Sequence, residues 1–402
     1  MLRKLGTLGK LGMSRSGSGI ITPQSLFPDG ATWNETSDSY TTIGRAPYYV
    51  HDAMQPCLVT PGAEGTSDIV LMKTDYTKRV DTGATVALDG SQGQVMMRIP
   101  KFWYRYDYSS PTHQWEVSPV AKSGFTLHPA FVKGEAEMQY RYIGIYEACG
   151  YDVSAGAYID GDGGNSWLDR TNDKLGSIVG KKPISAFTRA EGRKMAANVG
   201  TGWQMMDFNL HAMLKLLYIT KYADLDSQTV LGAGNTRWSG WDFATCISAT
   251  GKVLTVTAPG QSTAGGDSSD YCTLLGMESP FGDIWEWADG WNILDGTNYI
   301  CTDPAQFADD VGPTSAYSLY GAVNAQASGW QATLQPNIGF LPASVGGSNT
   351  TKITDYYWYY SDWRVAGVGG SASHGSGAGL FALYADGSSS GAGSAIGGRL
   401  CF

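Results

Sequence analysis

Charged residues are scarce in this chain of 402 residues. Asp, Glu, Lys and Arg make up 16% of the sequence, and the formal net charge is −9. Proteins that bind nucleic acid carry a basic stripe that neutralises phosphates, and this sequence has none. It also lacks a run of about 18 apolar residues, which a membrane-spanning helix needs. These absences predict a protein with no nucleic-acid partner and no membrane insertion.

Cysteine pairs are missing as well. The cysteines are spread widely over the chain, and no two of them have CxxC spacing. Because a disulfide framework or a zinc site needs closer and more regular spacing, the sequence predicts isolated buried thiols. The thiols are those of Cys57, Cys149, Cys246, Cys272, Cys301 and Cys401.

Aromatic residues and glycine are abundant instead. The chain contains 23 Tyr, 13 Trp and 53 Gly, and its hydrophobic content of 42% is ample for a core at this length. Tyr, Trp, Gly and Ser together are typical of recognition surfaces. This composition favours a binding protein.

The segment 354–402 concentrates that composition. It begins with the aromatic run DYYWYY at 355–360, and 25 of the 37 residues from 366 to 402 are Gly, Ser or Ala. A flexible linker has little apolar surface, whereas large residues recur here and the last four are RLCF. We therefore predict that this segment is packed into a core and that its small side chains form a shallow binding face.

The first half of the chain is predicted to be mainly β. Short runs with alternating or β-branched residues, bounded by turn residues, are typical of strands. Residues 1–50 are rich in Gly and Ser and locally basic, which predicts a leader that docks on another protein. Strands are predicted at 68–72, 84–88, 94–99, 102–106 and 144–148.

Two helices are predicted in the middle of the chain. Thr188 and Glu191 have the spacing of a capping box, and the helix that they begin is expected to end at Gly200. Asp207 is the predicted N-cap of the second helix. His211 on this helix is interpreted as a packing or hydrogen-bonded residue, since no ligand partner follows it at helical spacing. One apolar face of that helix is predicted to carry Leu210, Met213, Leu214 and Leu217.

The segment 282–287 (GDIWEW) is predicted to be a strand. Trp285 and Trp287 share one face of it and are expected to pack against the helices, so Glu286 points the opposite way. Glu286 is interpreted as a hydrogen-bonding strut, with a catalytic acid as the alternative.

This segment resembles the G-N-V-W-E-W signature of formylglycine-generating-enzyme-like proteins, a branch of the C-type-lectin fold. The order of parts agrees over about residues 90–402, and GGRLC at 397–401 is similar to the closing G-F-R-C of that family. The resemblance implies an α+β fold with short antiparallel sheets and two helices, preceded by a small β-rich N-terminal part.

Three further segments resemble phage tail-tip proteins of this fold. They are IPKFW at 99–103, GFTLHPAF at 124–131 and YIGIYE at 142–147. The final segment resembles the variable region of proteins that diversity-generating retroelements diversify. The implied domains are a leader at 1–50 for virion attachment or oligomerisation, a small β-rich segment at 51–90, and a C-type-lectin-like domain at 91–402 with a variable region at 354–402.

The resemblance divides the terminal residues into two sets. Copying errors at template adenines in codons ending in C never yield Lys, Glu, Gln, Met or Trp, and these five are absent from 366–402. The implied ligand-binding, variable positions are Tyr359, Tyr360, Gly367, His374, Gly377, Ala382, Tyr384, Asp386, Gly387, Gly391, Gly393 and Ala395. The implied scaffold positions are Trp285, Trp287, Trp363, Arg364, Val365, Gly369, Gly370, Ser371, Ala378, Gly379, Phe381, Gly397, Arg399 and Leu400.

The function implied by the resemblance is that of a phage receptor-binding protein, which determines host tropism. It would sit in the virion at a tail tip or tail fibre, as a homotrimer, and contact other tail proteins through the leader. Its variable surface would bind a host cell-surface protein or glycan. We expect no catalysis and no cofactor. The alternatives are a polysaccharide-degrading hydrolase that uses Glu286, Asp283 or Asp289, and a non-catalytic structural tail or baseplate subunit.

A metal site is also not expected. The related oxidases bind copper with two terminal cysteines, and here Cys401 stands alone between 366 and 402. The segment 335–337 (QPN) is similar to the calcium-dependent sugar loop, but the companion motif is replaced by WNI at 291–293. The Asp- and Gly-rich segment 160–165 lacks EF-hand spacing and is interpreted as a solvated turn.

Overall fold

The computed structural model describes residues 29–44, 49–62, 68–256 and 266–402. Within these residues the chain is mixed and mostly β, with few helices, which agrees with the predicted α+β class at that level. Residues 1–28 and 45–48 of the predicted leader lie outside the described residues.

The first sheet is antiparallel and has five strands. Its outer hairpin, Asp29–Asn34 with Ser39–Ile43, falls within the predicted leader but pairs with Thr112–Ser118, so this part of 1–50 belongs to the folded body. The attachment role of the leader stays a prediction. The strands, in spatial order, are Ser39–Ile43, Asp29–Asn34, Thr112–Ser118, Trp103–Ser109 and Thr126–Leu127.

The second sheet is also antiparallel and has seven strands. It joins the predicted 51–90 segment to the rest of the chain, because Gln55–Val59 pairs with Gln94–Pro100. The last strand of the chain, Leu400–Cys401, pairs with Tyr140–Gly144 in the same sheet. The strands, in spatial order, are Gln204–Met205, Leu400–Cys401, Tyr140–Gly144, Gln94–Pro100, Gln55–Val59, Ile69–Met72 and Asp75–Arg79.

The third sheet contains the strands of the terminal segment. The predicted GDIWEW strand is present as Trp285–Leu294 and pairs antiparallel with Trp363–Gly369. The strands, in spatial order, are Tyr317–Tyr320, Thr297–Cys301, Trp285–Leu294, Trp363–Gly369, Gly379–Ala385, Tyr356–Tyr359, Gly329–Leu334 and Pro342–Val345, and Ile396–Gly397 pairs with Trp285–Leu294 from one end.

Smaller elements complete the described fold. A three-stranded sheet has the order Ala157–Ile159, Cys149–Asp152, Lys174–Gly176, and two strand pairs are Val132–Lys133 with Ala136–Glu137 and Thr273–Leu274 with Met277–Glu278. The α-helices are Tyr49–Asp52, Arg189–Ala197, Phe208–Tyr222, Ser227–Leu231 and Phe243–Cys246, and the 3-10 turns are Pro129–Phe131, Pro304–Gln306 and Gly375–Gly377. No helix among the described residues is both long and apolar enough to span a bilayer.

The two predicted helix starts are confirmed. Thr188 and Glu191 form the capping box, and the Asp207 side chain accepts a hydrogen bond from the backbone N–H of Leu210 at 2.8 Å. The predicted end at Gly200 is wrong: the first helix ends at Ala197. The Asn198 amide that follows donates to the carbonyls of Thr171 and Asp173, and these tertiary bonds replace the last turn.

The long helix, Phe208–Tyr222, is buried on every side rather than on one face. It packs between the first sheet and the third sheet, so even its polar residues, His211 and Lys215, are enclosed. The predicted apolar stripe is therefore part of a wider buried surface. Burial lowers the pKa of His211 well below its ordinary value, which keeps the ring neutral.

Two of the predicted strands are wrong. Residues 84–88 form only a single bridge, between Thr85 and Lys78. The strand predicted at 144–148 is absent. The observed strand, Tyr140–Gly144, ends where the predicted one begins, because the carbonyls of Gly144 and Ile145 accept hydrogen bonds from the Arg399 guanidinium. The predicted free thiols are confirmed: all six cysteines are unpaired and buried.

Candidate functional site

The third sheet has one face that is packed into the core. Tyr357 lies opposite Leu383, which lies opposite Val368, and all three belong to one buried cluster that also contains Phe208 at the start of the long helix. Because side chains alternate along a strand, this inner face fixes which residues point the other way. We call the opposite side the outer face of the third sheet.

The outer face carries a row of aromatic residues. Trp330 pairs with Tyr356, Trp358 pairs with Tyr384, and Tyr384 lies opposite Gly367, which in turn lies opposite Trp287. Directly opposite residues share a face, so these rings lie on one surface. The helix Arg189–Ala197 and its flanks cover only the end of this surface near Trp287.

The uncovered part of the outer face forms a depression of about 590 Å³. Residues 386–395 connect the strand Gly379–Ala385 to Ile396–Gly397, and their small side chains form one wall. We call this the aromatic depression. Its lining consists of Trp285, Trp287, Tyr360, Arg364, His374, Tyr384, Asp386, Gly387, Ser388, Gly391, Ala392, Gly393, Ala395 and Ile396.

Trp285 forms the floor of the aromatic depression and is 5% exposed. Its ring centroid lies 4.9 Å from that of His374, 5.1 Å from that of Trp358 and 5.5 Å from that of Tyr384. The first two contacts are edge to face, which is a favourable arrangement for aromatic pairs. As predicted, both tryptophans belong to a buried cluster with Met195 and Ala196 of the helix Arg189–Ala197, and Nε1 of Trp287 also donates to the carbonyl of Phe187 at 3.0 Å.

His374 is held as one tautomer. Its Nδ1 accepts a hydrogen bond from the backbone N–H of Ser371 at 3.1 Å and lies 2.8 Å from the Ser371 hydroxyl. A backbone N–H donates only, so the proton of the neutral ring sits on Nε2. Burial lowers the pKa of His374 to about 4, and the ring stays neutral at physiological pH. The wall of the depression thus carries an uncharged N–H donor.

The depression has one basic and one acidic side chain near its mouth. The Arg364 guanidinium lies 4.6 Å from the centroid of the Tyr360 ring and donates to the carbonyls of Ser361 and Trp363. Asp386 is half-buried beside Tyr384. Burial and the nearby Asp386 carboxylate raise the pKa of Tyr384, so its hydroxyl remains protonated and able to donate.

Most of the implied variable positions lie around this depression. Eight of the twelve line it, namely Tyr360, His374, Tyr384, Asp386, Gly387, Gly391, Gly393 and Ala395. Gly367 lies beneath it: a Cβ there would be 3.2 Å from Ile396 and 3.3 Å from Tyr384. Gly377 lies just outside, beside Tyr356 and Trp358.

Two implied ligand-binding positions are placed elsewhere. Tyr359 pairs with Ala385 and points to the inner face of the third sheet, because it is offset by one residue from Trp358. Ala382 is fully buried under the tryptophans and reaches no solvent. Ala382 therefore cannot contact a ligand in this structure, and the half-buried Tyr359 side chain lies on the face opposite the depression.

The glycines of the terminal segment fall into two structural classes. Gly369 and Gly370, both implied scaffold positions, have φ values of 91° and 86°, which side chains other than glycine rarely adopt. None of the implied variable glycines has such a φ value. A Cβ at Gly393 would meet nothing within 4 Å, whereas one at Gly387 would lie 2.8 Å from the Tyr384 ring.

Several lining residues were not assigned to the site by the sequence. Trp285, Trp287 and Arg364 were implied scaffold positions, and they are both scaffold and lining. Ser388, Ala392 and Ile396 belonged to neither set. Their position follows from the pairing of Ile396 with Trp285, and no local pattern in the sequence signals that pairing.

Asp355 anchors the strand that carries Tyr384. Its buried carboxylate accepts a hydrogen bond from the backbone N–H of Phe381 at 2.6 Å. Ser227 completes the anchor, because its hydroxyl accepts from the backbone N–H of Leu380 at 2.9 Å. The strand Gly379–Ala385 is therefore fixed from below while its outer side chains face the depression.

The three carboxylates of the hydrolase alternative lie away from the depression and are buried. Glu286 binds Arg399, Asp283 accepts from the amide of Asn235 at 2.7 Å, and Asp289 binds Arg193 with both oxygens. Each carboxylate is used in a structural contact. This arrangement agrees with the interpretation of Glu286 as a strut.

The sugar-loop-like segment is also occupied by its own contacts. The Gln335 amide donates to the Ala322 carbonyl and to Asn324, and the Asn337 side chain accepts from the backbone N–H of Gly339. Asp162 likewise caps a turn by accepting from Gly164. Within the described ranges, no three His, Cys, Asp or Glu side chains are grouped to hold a metal ion.

Comparison with known proteins gives no family. No family model matches the chain, and no curated protein sequence matches it. Among solved structures, the Major Tropism Determinant P3c variant is similar at a TM-score of 0.27 and 11% identity, over 95% of this chain and 84% of that chain. A TM-score this low carries no argument about fold or activity.

Proposed function

We propose that this chain is a phage receptor-binding protein that contacts a host cell-surface ligand through the aromatic depression. The observation that carries this proposal is the depression itself. Aromatic rings form its floor, small residues form its wall, and the sheet beneath it is fixed on the inner face. Recognition surfaces combine rigid aromatic anchors with small adaptable residues in this way.

The arrangement of glycines supports a surface whose side chains change between related proteins. Substitution at Gly391 or Gly393 requires no forbidden backbone conformation, whereas substitution at Gly369 or Gly370 does. Side chains other than glycine are thus tolerated at Gly393 in the lining and opposed by the backbone at Gly369 and Gly370 in the framework. This separation, with the resemblance of the segments at 99–103, 124–131 and 142–147 to phage tail-tip proteins, supports the tropism role.

The remaining parts of the proposal follow from the same resemblance. The protein would act outside the host cell at a tail tip or tail fibre, as a homotrimer docked on other tail proteins through residues 1–50. Three weak contacts on one virion would then act together and raise the overall affinity. No catalysis, cofactor or metal is part of the proposed function.

A blocking substitution tests the proposal. Labelled protein is applied to a panel of bacterial strains, and bound protein is measured by flow cytometry. Gly393→Trp places a large ring in open space in the wall, so we expect binding to any positive strain to fall at least tenfold. Gly164→Trp is the matched control, since a Cβ at Gly164 makes only an ordinary contact of 3.9 Å with Asp162, its φ value is ordinary, and it lies outside the depression.

The outcomes separate the alternatives. Binding that survives Gly393→Trp overturns the assignment of the site. The absence of binding to every strain, with correctly folded protein, favours a structural tail or baseplate subunit. Breakdown of host polysaccharide by the wild-type protein, abolished in a Glu286→Gln variant that circular dichroism shows to be folded, favours the hydrolase.

A further inference from the structure

The aromatic surface continues beyond the depression. From Trp285 the contacts run to Trp358 at 5.1 Å, from Trp358 to Tyr356 at 4.6 Å, and from Tyr356 to Trp330 at 5.4 Å between ring centroids. Trp358, Tyr356 and Trp330 are each half-buried and lie on the outer face of the third sheet. We call these four residues the aromatic track.

The residues of the aromatic track lie outside the implied variable positions, whereas most residues of the aromatic depression are among them. Trp330 lies on Gly329–Leu334, outside the terminal segment, and none of the four track residues is among the implied variable positions. Its pairing with Tyr356 sets its position in the sheet. A ligand that spans both regions would meet a constant subsite on the track and a changeable one in the depression.

The chemistry of this surface favours a neutral ligand. The track residues carry no charge, and the depression has one cation and one anion, Arg364 and Asp386, so no net field complements a charged partner. Uncharged donors are present instead, at Nε2 of His374 and the hydroxyl of Tyr384. Such a set suits a ligand rich in hydroxyl groups.

The geometry favours sugar rings over a peptide. A peptide that adds to a sheet binds an edge strand, where backbone groups are free, and the track does not offer this mode because it lies on a sheet face and presents side chains alone. A depression of about 590 Å³ is of the size that encloses a small compact group. Successive ring centroids lie 4.6 to 5.4 Å apart with their planes inclined at 48° to 87°, so the track presents ring faces and ring edges in turn to successive units of a chain.

Building on the proposed function, we propose that the ligand is a neutral cell-surface polysaccharide. Its terminal sugar would enter the aromatic depression, and the following sugars would pack against the exposed parts of Trp358, Tyr356 and Trp330. Recognition needs no metal, since it uses ring faces and uncharged donors.

Fragment length gives the direct test. Neutral polysaccharide is purified from a strain that binds the protein, cut into fragments of graded length, and titrated by isothermal calorimetry. Trp330→Ala removes the far end of the track, so we expect affinity for long fragments to fall about tenfold and affinity for the shortest fragments to stay unchanged. Gly393→Trp is expected to lower the affinity for fragments of every length.

Two variants control for folding and for general loss of tryptophan. Trp330→Phe keeps an aromatic face and is expected to retain most of the affinity for long fragments. Trp103→Ala removes a half-buried tryptophan from the first sheet and is expected to leave the affinity for fragments of every length unchanged. An equal loss of affinity for short and long fragments in Trp330→Ala would overturn the assignment of the aromatic track as a binding surface.

Cell treatment separates this inference from the proposed function. Periodate oxidation of the bound strain destroys sugar rings and is expected to abolish binding, whereas protease treatment is expected to leave it intact. Binding that is sensitive to protease and resistant to periodate identifies a protein ligand; it overturns the polysaccharide inference and leaves the receptor-binding function standing. The absence of binding to all untreated strains overturns both.

Discussion

Arg399 and Glu286 form a buried ion pair in which Nη2 of Arg399 lies 2.7 Å from Oε1 of Glu286. The remaining Arg399 donors are taken by four backbone carbonyls, those of Gly144, Ile145, Glu278 and Ser279. One side chain near the end of the chain thus ties the terminal segment to the second sheet and to the strand beneath the aromatic depression.

Glu286→Gln is expected to destabilise the protein. The substitution leaves the Arg399 charge buried without a counter-charge, and breaking such a pair costs about 3–5 kcal/mol of the free energy of unfolding. Urea denaturation measures this loss. Asp81→Asn, which removes an exposed partner of Arg79, is the control and is expected to have no measurable effect. An unchanged midpoint for Glu286→Gln would show that the pair does not hold the segment.

The two classes of terminal glycine are expected to differ in stability. Gly370→Ala places a side chain at a φ value of 86° and brings its Cβ to 2.6 Å from that of Ala378, so we expect a loss of about 1–3 kcal/mol. Gly393→Ala meets no atom and is expected to change stability by no more than about 0.5 kcal/mol. Similar thermal unfolding midpoints for the two variants would contradict the division into framework and variable glycines.

The stability of the protein is expected to depend on Lys215 above neutral pH. Burial lowers the pKa of this amine to about 7, and Asp355 opposes that change. The unfolded chain keeps its Lys215 proton up to its ordinary pKa, so between pH 7 and 10 the unfolded state binds more protons than the folded state. The Lys215 contribution to stability therefore rises with pH in this window, by about 1.4 kcal/mol per pH unit.

Lys215→Met removes that titration and keeps an apolar stem in the buried site. Denaturation series at pH 7, 8 and 9 are expected to show that the free energy of unfolding of the wild type increases relative to that of the variant as pH rises. A constant difference between the two proteins across this range would mean that Lys215 keeps its charge in the folded state.

The cysteines are expected to be inert in the folded protein. All six are buried, and burial raises the pKa of Cys149 to about 12, which leaves almost no reactive thiolate at pH 8. A thiol-specific chromogenic reagent is expected to react with none of them in the native state and with six per chain in guanidinium chloride. Reducing agent is expected to leave the thermal unfolding midpoint unchanged, since the structure has no disulfide among these residues.

Contacts between neighbours in the chain were predictable. Thr188 and Glu191 cap the helix that follows them, and Asp207 caps the next, because both motifs act within one turn of backbone. The alternation of Trp285, Glu286 and Trp287 also held, since side chains on a strand alternate whatever the partner strands are. The aromatic and small residues that surround the depression were recognisable from composition and from resemblance.

Contacts between distant residues were not. The first helix stops early because Asn198 bonds to carbonyls about twenty-five residues before it, and the predicted strand at 144–148 is cut short by a guanidinium from position 399. Tyr359 was assigned to the binding surface, whereas its half-buried side chain lies on the inner face of the third sheet, because a shift of one residue reverses the face of a strand.

The sequence by itself determined the mixed, mostly β character of the chain, the positions of the helix starts, and the isolation of its thiols, because these depend on local spacing and on composition. Only the tertiary structure decided which rings share the outer face of the third sheet and which glycines have φ values that other residues rarely adopt. The pairing of strands brings Trp330, Tyr356, Tyr384 and Trp287 onto one surface from four separate parts of the chain, and no short-range pattern encodes that register.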